Sequence, residues 1–241
     1  MYLNFILAFY LILALPTMQI LLNRNSENNK NLSRAQRYKQ SILRIVLPLA
    51  ALFTYMNVAD VGFAELGFDV PVSIVGTWGL IAAFSVLLIM AVSGLKPKSA
   101  NDKTQKKFLD QVNHSEIMPR TVMDLNLCIL MNIILGVGWE ILYRGFLMFI
   151  LTPIIGIYGA IVLASFAYAL AHGYQNRKQI IGSIISAFLF AIGYALTKSL
   201  WWLIVLHIGL PVISAVICYK AFNSTANAFR QSDISNGHPA A

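Results

Sequence analysis

Four ionisable side chains lie deep inside apolar stretches of the chain. Glu140 and Arg144 fall in WEILYRGFL, His172 closes LASFAYALAH, and His207 sits in SLWWLIVLHIGL. Asp124 lies near the start of the run that holds Glu140. A charged side chain at mid-bilayer costs about 2.5–3.5 kcal/mol on insertion scales, so a cluster of such groups calls for a reason. Glu140 and Arg144 are four apart and share one face of a helix. That pair is either a buried ion pair that fixes packing or a carboxylate held by a cation so that it can act on water or substrate. Spacing alone leaves both readings open. One Glu and two His carried by three different segments suit the activation of a water molecule, by general base action or through a metal.

The elements that position these residues are membrane helices. Only 12% of the residues are charged and 58% are hydrophobic, against about 25% charged in soluble domains. A helical span needs roughly 20 apolar residues. Seven segments qualify, at about 1–22, 43–58, 72–94, 125–153, 157–174, 179–197 and 199–219, so the expected fold is an all-α polytopic membrane protein. The opening segment lacks a basic stretch and a small-residue cleavage site, and it reads as an anchor rather than a signal peptide. Cys128 and Cys218 fall inside apolar runs and read as small core residues.

The net charge of +8 does not point to nucleic acid, because the basic residues cluster in short loops. Six of the 18 lie between Arg24 and Arg44 and six between Lys96 and Arg120. Loop 59–71 instead carries Asp60, Glu65 and Asp69 and no Lys or Arg. Basic loops mark the cytoplasmic side, which predicts an outside N-terminus and a cytoplasmic C-terminus; Lys198 is the one charge against this pattern. Ser33 and Gln36 fit a capping box at the start of a basic helix, which would lie on anionic lipid as it leads into the second span. Loop 101–114, with His114, reads as polar and mobile. The tail after 220, with His238, reads as disordered. Asn126 and Asn132 read as helix-to-helix hydrogen-bonding groups within reach of the Glu140 cavity.

Three spacings together resemble a known family. Glu140 with Arg144, Tyr168 with His172 in YALAH, and His207 in WWLIVLHIGL are similar to motifs of the CPBP or Abi group of intramembrane proteases, relatives of the type II CAAX prenyl endopeptidase. The resemblance covers about residues 121–220. It implies a four-helix catalytic-type core over 121–220, while the hydropathy runs and composition give a three-helix N-terminal part over 1–120 and a tail over 221–241. It further implies a peptidase of the bacterial inner membrane whose site comprises Glu140, His172 and His207, supported by Arg144, Tyr168 and Trp139. Glu140, His172 and His207 are also the candidate ligands of a divalent metal such as zinc, and a metal-free mechanism is equally compatible. The implied partners are membrane lipid and a peptide or protein substrate.

Two positions depart from the family pattern. Trp139 stands where the first Glu of the motif belongs, and Pro211 stands where an amide or acid follows the second His. An inactive relative that binds a membrane peptide or scaffolds a partner is therefore the alternative. A transporter fits less well, since neither repeated halves nor broken helices are visible. The topology makes a direct prediction in a Cys128→Ala, Cys218→Ala background. Cysteine in Asp60→Cys should react with an impermeant maleimide from outside the cell, and in Lys103→Cys only after the membrane is opened.

Overall fold

The computed structural model describes residues 2–24, 32–69, 72–95, 110, 115, 117–172 and 177–235. The expectations for loop 101–114 with His114, and for His238, lie outside the described residues, apart from Asp110. The described elements are helical: α1 (Leu3–Phe9), a π-helical turn π1 (Tyr10–Ala14), α2 (Leu15–Arg24), α3 (Arg34–Ala59), a short 3₁₀ turn (Ala64–Leu66), α4 (Ile74–Leu95), α5 (Val122–Glu140), a second π segment π2 (Ile141–Leu147), α6 (Met148–Ala171), α7 (Arg177–Thr197) and α8 (Trp201–Ser235). Among the described residues, six continuous helical stretches are long and apolar enough to cross a membrane. The protein is thus an all-α, polytopic membrane fold.

One of those stretches, Val122–Ala171, runs for 50 residues. Straight, it would measure about 75 Å at a rise of about 1.5 Å per residue, far more than the roughly 30 Å hydrocarbon core. It folds back instead. Gly156 has φ 72° and ψ 167°, a region that only glycine enters readily. Ring pairs report the reversal: Trp139 meets His172 and Tyr143 meets Tyr168, each at 5.5 Å between centroids. Both pairs are centred in sequence on about residue 156. With this hairpin resolved into its two limbs, the six stretches supply the seven spans expected.

Around the hairpin, α8 packs between α4 and α5, α3 packs on α5, and α6 packs on α7 and α2. The basic helix and the second span are one element, α3. It begins at the expected capping box, in which Gln36 N–H donates to Ser33 Oγ at 3.2 Å and Ser33 N–H to Gln36 Oε1 at 2.8 Å. A second box opens α5: Asp124 accepts from Thr121 N–H at 3.3 Å while its own N–H donates to Thr121 Oγ1 at 3.0 Å. That cap accounts for Asp124. Cys128 and Cys218 are buried free thiols, as expected.

Two expectations need correction. The last helix does not end near 220 but continues to Ser235. Asn223 Nδ2 donates to Tyr219 O at 3.0 Å and Ser224 Oγ to Ala221 O at 3.0 Å, so polar side chains here bond along the helix rather than ending it. Asn132 bonds within its own helix, to Cys128 Sγ at 3.5 Å, rather than to a neighbouring helix.

Gly156→Ala tests the hairpin. Its β-carbon would meet nothing within 4 Å, so only the backbone conformation resists it. A loss of about 1–3 kcal/mol is expected in unfolding of the detergent-solubilised protein.

Candidate active site

The π2 segment decides where the charges point. Its i→i+5 bonding widens the helix, a distortion common at functional sites, and all seven of its residues are buried. Glu140 immediately precedes it and Arg144 lies within it. Both are withdrawn from solvent, at 0% and 1% exposure. Arg144 Nη1 stands 3.5 Å from Glu140 Oε1. Its other terminal nitrogen donates to Ala187 O on α7 at 3.3 Å, and its guanidinium lies 4.0 Å above the Tyr168 ring. The cation is thereby held by a carboxylate, a carbonyl and an aromatic face from three elements.

His207 comes from α8 to complete the cluster. Its Nδ1 lies 2.6 Å from the same Oε1 of Glu140, and its Nε2 lies 3.3 Å from Tyr168 Oη. A carboxylate beside a guanidinium only accepts hydrogen bonds, so Nδ1–H donates to it. Nε2 is then left as an acceptor for the Tyr168 hydroxyl. This is the arrangement in which an acid fixes the tautomer and orientation of an imidazole. His172 stacks on Tyr168 at 5.0 Å between centroids and lies 5.8 Å from the His207 ring. It is exposed at the end of α6.

A cavity of about 180 Å³ opens beside these rings. Arg144, Tyr168, His172, Ser186 and His207 supply its polar lining, and Phe190, Leu206, Leu210 and Pro211 its apolar lining. Glu140 does not line it. The carboxylate stands behind His207, with its Oε2 buried and unbonded. All six residues singled out from the sequence therefore meet, but Glu140 reaches the cavity only through its partners His207 and Arg144. Pro211 lies inside α8 and has no N–H to offer the His207 carbonyl one turn back. Trp139 packs its indole on Tyr143, Tyr168 and His172.

Sequence reasoning missed the wall contributed by α7. Ala187 O receives both Arg144 and Ser165 Oγ, each at 3.3 Å. Ser165 is a lone hydroxyl within an apolar run, a signal that could have been followed. The backbone carbonyl of an alanine carries no such signal.

The candidate metal set does not form. Among the described residues no group of three His, Cys, Asp or Glu is placed to hold a metal ion. Glu140 Oε1 is already bonded to His207 Nδ1, and the Arg144 guanidinium beside that oxygen opposes a second cation. Glu140, His172 and His207 are not a ligand triad in this arrangement.

Residues 121–213 match the family model described as type II CAAX prenyl endopeptidase Rce1-like. The motif resemblance is borne out over that stretch, and every residue of the cluster falls within it. No curated protein and no solved structure gives a significant match to the chain. The Rce1-like match supports a CAAX-protease-like function in general terms, in a protein embedded in lipid.

The charge balance of the Rce1-like segment is open to a direct test. Removing one partner of a buried ion pair typically costs about 3–5 kcal/mol. Arg144→Met should lose that much stability in thermal or denaturant unfolding. The double variant Glu140→Gln, Arg144→Met should recover part of the loss, because no uncompensated charge remains.

Proposed function

We propose that the protein is an intramembrane endopeptidase that hydrolyses a peptide bond near the cytoplasmic face of a bacterial plasma membrane. The observation that carries this reading is the 2.6 Å contact between Glu140 Oε1 and His207 Nδ1, in an imidazole that lines a cavity. In the proposed reaction the Tyr168 hydroxyl turns away from Nε2, and a water admitted in its place gives up a proton to that nitrogen as its oxygen attacks the peptide carbonyl. Glu140 stabilises the imidazolium that forms, as the acid of a hydrolytic triad does. Tyr168 and His172 are the hydrogen-bond donors for the oxyanion of the tetrahedral intermediate. The C–N bond then breaks, and the proton on Nε2 passes to the leaving amine. In this assignment His207, His172 and Tyr168 are catalytic. Glu140 and Arg144 are positioning residues, which moves Glu140 from the direct role expected of it.

A second reading rests on Trp139. Its ring occupies the position of the missing motif Glu and covers Tyr168 and His172. The cavity of about 180 Å³ has room for about six waters at about 30 Å³ each, below the usual 300–1,000 Å³ of a ligand pocket. An inactive relative that holds a membrane peptide would tolerate both features.

The two readings separate in proteoliposomes that carry a library of quenched fluorescent transmembrane peptides. For a peptidase, His172→Ala and His207→Ala should each abolish cleavage and Glu140→Ala should reduce it at least about 10²-fold, with insertion intact. Cleavage that survives all three would end the peptidase reading. Activity absent in the natural sequence but gained by Trp139→Glu would favour the inactive relative.

A further inference from the structure

The residues on either side of Arg144 are gripped by parts of the chain outside the family-matched segment. On one side, Tyr143 is fully buried and its hydroxyl donates to Leu11 O at 2.9 Å. Leu11 belongs to π1, so one irregular helix segment is tied to another across the bundle. On the other side, Gly145 lies directly against the loop after α3. A β-carbon at Gly145 would stand 3.2 Å from Leu66 O and 3.3 Å from Leu66 Cβ. Only glycine lets that loop come so close without the neighbour giving way.

The same loop also holds the helix that carries His207. Gly67, at φ 93°, turns its carbonyl to accept Leu200 N–H at 2.9 Å, just ahead of α8. Phe68 packs edge-on against Trp201 at 5.2 Å, and Trp201 Nε1 donates to Asp69 O at 3.3 Å. Leu66, at 0% exposure, is thus wedged between π2 and the start of α8. Those two elements carry Arg144 and His207, the groups that converge on one oxygen of Glu140. The Arg144 contact, at 3.5 Å, weakens as the two elements separate.

The geometry points to Leu66 and the Tyr143–Leu11 hydrogen bond as the contacts through which the N-terminal part of the chain sets the register of the Glu140–Arg144–His207 cluster, with Leu66 and Tyr143 as positioning residues. The Rce1-like segment by itself leaves the cluster unaligned. This inference concerns the geometry of the cluster, so its test reads the hydrogen bond directly and is independent of any cleavage assay.

The readout is the proton on His207 Nδ1 in full-length protein labelled with ¹⁵N-histidine in nanodiscs, assigned by its loss in His207→Gln. A short bond to a carboxylate places this signal far downfield. Leu66→Ala and Tyr143→Phe should each shift it upfield or abolish it, although Tyr143→Phe deletes only an oxygen. Met131→Ala is the control, since Met131 belongs to a separate buried cluster with Tyr38, Cys128 and Ala215. It should lower the unfolding temperature and leave the signal in place. If Leu66→Ala does not fold, Leu66→Val replaces it. An unmoved signal in either the Leu66 or the Tyr143 variant overturns the proposal, as does an equal shift in Met131→Ala.

Discussion

A single buried carboxylate oxygen organises this protein. Glu140 Oε1 meets an imidazole at 2.6 Å and a guanidinium at 3.5 Å, and each partner is delivered by a different part of the chain. Such a cluster tolerates little displacement, because a charge without its partner in low dielectric costs several kcal/mol. Much of the surrounding architecture serves that constraint. The widened π2 segment carries Arg144, the Tyr168 ring lies under the cation, and the Ala187 carbonyl closes the remaining side.

Ion pairing and the orientation of an imidazole are joined in the same atoms. The ion pair expected from the i,i+4 spacing exists, and the carboxylate also orients a histidine. Of the two interpretations left open by spacing, the buried ion pair is present, and Glu140 stands behind the imidazole rather than in the cavity. Packing holds the charges, and the charges hold the imidazole. Next to the cluster, an indole at 139 and a prolyl ring at 211 present apolar surface.

Much of this was legible from residue types. Hydropathy runs located the spans, and the rarity of ionisable groups inside them singled out Glu140, Arg144, His172 and His207. Ser33 and Gln36 announced the start of α3. Other features were hidden for physical reasons. Hydropathy does not encode whether a buried helix bonds i→i+4 or i→i+5, so π2 left no trace in the sequence. The approach of Leu66 to Gly145 is a contact between residues far apart in the chain, and a glycine in an apolar run looks the same whether or not another backbone touches it. That Glu140 would stand behind His207 rather than in the cavity depends on that same hidden register. The tail composition suggested disorder because Asn and Ser favour helix ends, yet both can bond to the preceding turn.

The reversal at Gly156 bears on how the chain enters the bilayer during synthesis. Emerging alone, the first limb would expose Glu140 and Arg144 to lipid while His207 was still unmade. The second limb follows at once and brings the Tyr168 ring under the guanidinium. The two antiparallel limbs by themselves cover the cation with an aromatic face, 4.0 Å from guanidinium to ring centre, using residues that precede α7 and α8 in the chain.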